Sequence, residues 1–234
     1  MLRKNFKGII MNTVAQLLTE NLLDTTKTIA ADLFKGVDYP FEILPKIKEY
    51  ILQLQEKLDK TEFNEITTGV FVHKTATVAP TAFIAAPCII DAKTEVRHCA
   101  YIRGNAIVGK NCVVGNSCEL KNVVIFDNVQ VPHYNYVGDS VLGYHSHMGA
   151  GSITSNVKSD KTPVKIKYKG KCVETGLKKM GAIVGDYVEV GCNSVLNPGT
   201  VIGRESNVYP LSMVRGYVAE NSIYKCKNEI VAKF

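Results

Sequence analysis

The stretch IRGNAIVGKNCVVGNSCEL, Ile102 to Leu120, carries an aliphatic residue at every sixth position: Ile102, Val108, Val114 and Leu120. A period of six matches neither the 3.6 residues of a helical turn nor the two-residue alternation of one amphipathic strand. It is the period of a repeat, in which each short unit buries its apolar residue against the next. Toward the N-terminus the register holds at Val72, Val78, Ile84, Ile90 and Val96. Toward the C-terminus it slips by five to Ile125, continues at Val131 and Val137, slips by five again to Leu142, and reaches Met148. It resumes at Val184, Val190, Leu196, Ile202, Val208 and Val214. Gly follows the aliphatic residue repeatedly, as at Val108-Gly109, Val190-Gly191 and Ile202-Gly203. The expected reason is a corner whose backbone only Gly adopts cheaply.

The flanks differ. Residues 12–60 read as helices. Asn12–Thr13 and Asp24–Thr26 are candidate caps, and Gly36 is placed to end the second helix. Pro40 and Pro45 mark the entry to a third, on which Ile47, Ile51, Leu54 and Leu58 form one apolar stripe. Residues 155–183 interrupt the repeat with eight lysines. Within them Val164–Tyr168 and Lys171–Thr175 flank Lys169-Gly170, which predicts a hairpin. Long excursions from a solenoid tend to lie beside its functional face; a merely solvated arm is the alternative. The organisation expected is a helical segment 1–66, a repeat domain 67–222 with its lysine-rich arm, and a tail 223–234 that leaves the repeat.

Composition narrows the class. Hydrophobic residues make up 46% and charged residues 21% of the 234, the globular range. Apolar runs such as Val123–Phe126 are too short to cross a membrane. Met1–Met11 is basic and lacks the apolar core of a signal peptide, and Met11 is an alternative start. Seven cysteines without a CxxC pair point to reduced thiols in a cytoplasmic protein rather than disulfides or a zinc site. A net charge of +6 suits phosphates of any kind, and no nucleic-acid motif accompanies it.

Chemistry concentrates in Pro132–Asn156, PHYNYVGDSVLGYHSHMGAGSITSN, with three of the five histidines and Gly-Ala-Gly. A break in a regular coil exposes backbone amides, and one near Ala150 is placed to hold an oxyanion. His145-Ser146-His147 is the one spacing that could suggest a metal pair, but no metal is expected there.

The hexads resemble the hexapeptide-repeat family, whose fold is an all-β solenoid, a left-handed parallel β-helix with three hexads per triangular coil. His133–Asp139 and Gly149–Asn156 further resemble the acetyltransferase half of bifunctional glucosamine-1-phosphate N-acetyltransferase/N-acetylglucosamine-1-phosphate uridyltransferase, over about residues 70–220. That resemblance implies an acetyl-CoA-dependent N-acetyltransferase acting on glucosamine 1-phosphate or galactosamine 1-phosphate, as a homotrimer with sites between subunits. It implies His133 as general base and the Ala150 amide as oxyanion donor. Arg103, Lys121, Tyr136, His147 and, from a neighbouring subunit, Lys179 with Lys178 as the alternative would contact the sugar phosphate, and Ala150, Asn156 and Cys192 the acetyl-CoA. His147 stands where the family has asparagine, and Cys192 where serine is common. For Cys192 a small buried corner residue is the alternative role. Arg103 and Lys121 occupy positions where a coil prefers small or apolar residues, so each cation is expected to need an anion, phosphate being the natural one.

Residues 1–66 contain no Gly-rich nucleotide loop, so no uridyltransferase activity is expected of them. Two other readings share the fold. One is a non-catalytic sugar-phosphate-binding or assembly module, which would retain Arg103 and Lys121 without needing His133. The other is a γ-type carbonic anhydrase, which needs converging histidines, two of them usually five apart. The histidines at 73, 98, 133, 145 and 147 include no such pair.

Overall fold

The computed structural model describes residues 14–225 and 230–232. Met1–Met11, the Asn12–Thr13 cap and Cys226 lie outside them.

Short parallel strands wind into a three-walled solenoid. The hexad residues form three interior ladders. On the first wall Val72, Ile90, Val108, Ile125, Leu142, Val184 and Ile202 stack in register. On the second, Val78, Val96, Val114 and Val131 are followed by Met148, Val190 and Val208. On the third, Ile84, Ile102, Leu120 and Val137 lead down to Leu196 and Val214. All these residues are buried except Val78 and Ile84, which lie in the first coil with no strand stacked beyond them among the described residues. The third ladder also contains Thr154, in the coil between Val137 and Leu196. A search for aliphatic residues passes over it because it is polar. Its hydroxyl accepts the Gly138 N–H at 2.9 Å, which makes it tolerable at full burial.

The corner glycines have a different cause from the one expected. Gly109, Gly115, Gly149 and Gly191 are not in the left-handed region. A Cβ on Gly115 would lie 1.6 Å from the Pro132 carbonyl oxygen, and one on Gly149 would lie 2.6 Å from that of Val190. Bare backbone is needed because the next coil passes there. The left-handed residue comes two positions later, at Asn111, Ser117, Gly151 and Asn193.

Both five-residue slips fall at the same corner, between the third and first walls, in adjacent coils. Lys121-Asn122 and Gly138-Asp139 turn it with one residue fewer. Asn122 and Asp139 adopt φ of 54° and 47°, and single strands, Glu119–Ile125 and Tyr136–Leu142, run through the bend.

First-wall strands are apolar on both faces, so their outer side must be covered. Ile89, Ile107, Val124 and Val141 point outward in register and are fully buried. Helix Ile47–Gln55 lies on the strands of Ile89, Ile107 and Val124, and the 3-10 turn Pro40–Lys46 on the strand of Val141. Ile47 and Ile51 are buried, Leu54 is half-buried, and Leu58 packs just beyond the helix end. The segment is less helical than its sequence predicts. Asp24 caps no helix: its carboxylate accepts from Thr26 N at 3.1 Å and Thr26 Oγ1 at 2.6 Å, closing a turn. Helical structure nearby is limited to Thr19–Leu22 and the 3-10 turns Ala15–Leu17 and Ala31–Phe34. Phe63–Thr67 is a strand antiparallel to Val70–His73.

The lysine-rich arm contains the expected hairpin, with Lys165–Tyr168 paired antiparallel to Lys171–Glu174. Lys169 and Gly170, at φ of 44° and 77°, make its turn. The arm is not purely solvated, because Val164 and Ile166 are buried against the solenoid. At the far end the solenoid continues through Ser222–Tyr224, past the boundary read at 222, and Ile230–Ala232 pairs antiparallel with that strand. The six described cysteines are all free thiols. No helix of the described residues is long and apolar enough to cross a membrane.

Candidate active site

The corner between the second and third walls stacks His133, Ala150 and Cys192 in successive coils. Gln130 pairs with His147 and Met148 with Val190, which fixes that order. Strand spacing puts neighbouring backbones about 4.8 Å apart. Buried Asn135 locks the first two members together. Its Oδ1 accepts the His133 N–H at 3.0 Å, while its Nδ2 reaches the Gly149 carbonyl at 2.8 Å and the Ser152 carbonyl at 3.0 Å.

The result is chemically specific. Gly151 N–H is used by the His133 carbonyl at 2.9 Å, and the Ala150 carbonyl accepts from Asn193 N–H at 2.8 Å. The Ala150 N–H has no acceptor among the described residues. The His133 imidazole is exposed and has no hydrogen-bond partner among them. A basic nitrogen and an unused amide donor therefore share one edge. Cys192 is exposed on the same edge, not the small buried corner residue offered as its alternative.

A second cluster occupies the short corner at the other end of the third wall. Asp139, 5% exposed, accepts from Lys121 Nζ at 3.1 Å, Asn122 Nδ2 at 3.0 Å and Asn156 Nδ2 at 2.5 Å. Asn156 Nδ2 also donates to Tyr136 Oη at 3.1 Å, leaving the phenol proton for another acceptor. Burial, followed by the charge of Asp139, raises the Tyr136 pKa, so the phenol stays a neutral donor. Arg103 lies one coil above Lys121 and pairs with Glu119 at 2.8 Å, which holds its guanidinium protonated above the ordinary value. The anions these two cations require are thus carboxylates of the same chain, not only an external phosphate. Lys179 is exposed at the close of the arm, beside Met180, whose N–H bonds the Asn156 carbonyl at 3.0 Å.

Tyr136, Arg103, Lys121, Asn156 and Lys179 therefore gather along the third wall, with His133 at its leading corner. His147 does not join them within one chain. It lies on the outer second wall, bonded through Nδ1 to Glu189 at 2.8 Å. His145 instead stacks on Tyr187 at 5.5 Å between ring centres.

This site lies inside the stretch 84–222, which matches the family described as the GMPPB C-terminal domain. The chain belongs to that family. Among curated relatives, a bifunctional sugar-1-phosphate nucleotidylyltransferase/acetyltransferase from Sulfurisphaera tokodaii is 36% identical over 105 residues, covering 45% of this chain and 26% of the relative. The bifunctional protein GlmU of Methanococcus maripaludis is 38% identical over 112 residues, covering 47% and 27%. The chain thus spans about a quarter of the length of these relatives. Among solved structures, the polySia-specific acetyltransferase NeuO aligns with a TM-score of 0.44 at 14% identity over 71% of this chain and 88% of that one. The acetyltransferase domain of PglB from Neisseria gonorrhoeae, in complex with acetyl coenzyme A, aligns with a TM-score of 0.29 at 20% identity over 64% and 60%.

Sequence reading did not single out Asn135 and Asp139, although both lie in the stretch it quoted. A recognisable signal was Asp139 at the second register slip, a polar residue where the corner has lost one position.

Proposed function

We propose that this chain is an acetyl-CoA-dependent N-acetyltransferase whose acceptor is a hexosamine 1-phosphate, with glucosamine 1-phosphate and galactosamine 1-phosphate as the candidates. The observation that carries the reading is the stacked corner: an unpartnered imidazole on His133 beside an unused N–H on Ala150. The curated relatives whose names include acetyltransferase support it.

Transfer is direct. The sugar amine attacks the thioester carbonyl, and the amine proton passes to the His133 imidazole. The Ala150 N–H receives the oxyanion that develops. The tetrahedral adduct then expels coenzyme A as thiolate, leaving the amide. Tyr136 donates to the sugar or its phosphate. Arg103 donates through one nitrogen to Glu119, so the rest of its fork is available to a phosphate. Lys121 and Lys179 add positive charge near it. Asn156 and Cys192 contact the donor.

Assembly as a homotrimer fits two features. The outer third wall carries exposed Phe83 and Tyr101 in neighbouring coils and exposed Met213 toward its other end, apolar surface that a second copy would bury. His147, displaced to the second wall, would reach an acceptor bound between copies.

The test follows coenzyme A thiol release with each sugar phosphate, in the wild-type chain and His133→Ala. The expected loss is about 10²–10⁴ in kcat with donor affinity unchanged. Near-normal turnover in the variant removes His133 from its role. A folded chain that binds sugar phosphate but never releases thiol establishes the non-catalytic binding module instead.

A further inference from the structure

A cleft of about 540 Å³ opens between the lysine-rich arm and the solenoid, at the corner after the third wall. It lies across that wall from His133, Ala150 and Cys192. Lys158, Lys165, Lys167 and Arg215 line it, against Asp160 as the acid in the lining. Asp160 is already engaged. Its carboxylate accepts from Thr162 N–H at 3.0 Å and pairs with Lys158 at 3.1 Å, and these bonds hold its pKa at about 2. Lys165 pairs with Glu174 across the hairpin at 2.7 Å. Lys167 and Arg215 are exposed and have no carboxylate partner among the described residues.

The backbone that carries two of the cations is packed against the solenoid. Lys165 and Lys167 are two apart on one strand and face the cleft, while Ile166 between them is buried. Their backbone rests on two bare glycines. A Cβ on Gly199 would lie 2.7 Å from the Lys165 carbonyl oxygen, and one on Gly216 would lie 2.6 Å from that of Lys167. Lys167 and Arg215, the two cations here without a carboxylate partner among the described residues, place like charges around one concavity, and a polyanion relieves their repulsion most. The lining contains no aromatic ring to stack on a base, so recognition falls on phosphate oxygens.

We propose that this cleft is a binding site for a diphosphate group, carried either by a coenzyme A-type donor or by a free nucleoside diphosphate. It does not depend on the acetyltransfer reading, because occupancy is measured without turnover.

Cys172 lines the cleft and is exposed, so its alkylation rate reports occupancy. Cys99, exposed elsewhere, is the reference, and Cys192 reports the acyl-transfer corner. Inorganic pyrophosphate, ADP and coenzyme A are each titrated, with calorimetry beside peptide-resolved alkylation. Pyrophosphate is expected to slow labelling of Cys172 and not of Cys99. Lys167→Ala with Arg215→Ala is expected to weaken pyrophosphate by roughly a hundredfold, about tenfold for each lost cation. Coenzyme A protecting both Cys172 and Cys192 identifies the donor as the source. ADP protecting Cys172, with coenzyme A protecting Cys192 alone, identifies a separate nucleotide site. The proposal is overturned if pyrophosphate leaves Cys172 labelling unchanged. It is equally overturned if Lys48→Ala with Lys60→Ala, an equal charge loss on the exposed N-terminal segment, weakens binding as much. Failure of acetyl transfer with Cys172 protection intact refutes the proposed function and leaves this site standing.

Discussion

Asn135→Ala is the sharpest test of how the candidate site is built. The side chain is 2% exposed and bridges two coils. Truncation leaves the His133 N–H without its acceptor and the Ser152 carbonyl without its donor, while the Gly149 carbonyl keeps the Ser152 hydroxyl at 2.7 Å. A buried orphaned carbonyl at about 1–3 kcal/mol, a part-buried orphaned N–H worth less, and a small void give a loss of about 2–4 kcal/mol. That is a large share of the roughly 5–15 kcal/mol typical of a folded domain. Urea titration at constant m-value measures it, and the variant that stays folded should lose kcat as the His133 and Ala150 corners separate. Asn135→Asp separates hydrogen bonding from volume. It preserves the acceptor for His133 N–H but, when ionised, turns a carboxylate toward two carbonyl oxygens. Its folded pKa must therefore rise above the unfolded value near 3.9. The protonated form is favoured in the fold, so the deficit against wild type shrinks as pH falls through the raised pKa and grows as pH rises. A loss under about 1 kcal/mol for Asn135→Ala, or a deficit in Asn135→Asp that ignores pH, would refute the bridging role.

Three further outcomes are expected. Tyr136 should titrate later than ordinary tyrosine in an ultraviolet pH titration, as should Tyr50 and Tyr217, and Tyr136→Phe should remove one phenol from that late group; its stabilising contribution is present below about pH 10 and lost as pH rises through the raised folded value. Ile107→Ala, beneath helix Ile47–Gln55, should cost about 2–5 kcal/mol in urea unfolding, and a loss below 1 would mean the helix does not seal the first wall. Gly216→Ala forces a side chain into a backbone at φ 75° and against the Lys167 carbonyl, so amide exchange at 165–168 should accelerate while the distant coils keep their protection.

The solenoid was legible because its signal is local and repeated. Each aliphatic residue at a six-residue step occupies the same interior position in each coil, so one period read off Ile102–Leu120 places the ladders from Val72 to Val214. The hairpin at Lys169-Gly170 was legible for the same reason, since turn chemistry sits in adjacent residues. The cover over the first wall was written more faintly, as apolar triplets such as Ala106–Val108 and Ala182–Val184 with no polar outer face. The sequence alone cannot say what lies on them, because the helical segment that does is far away along the chain.

The site divides along the same line. Sequence determined which residue types are present: a histidine, a corner alanine, stacked cations at Arg103 and Lys121. Only the tertiary structure decided their partners. Glu119 and Asp139 meet those cations from neighbouring positions and coils, Asn135 ties His133 to the coil that holds Ala150, and His147 falls on another wall. Coil stacking brings together residues one coil apart, such as Lys121 and Asp139, 18 positions apart in sequence. Which side chains meet across that step depends on the two shortened corners, whose effect on pairing appears only when the coils are laid upon one another.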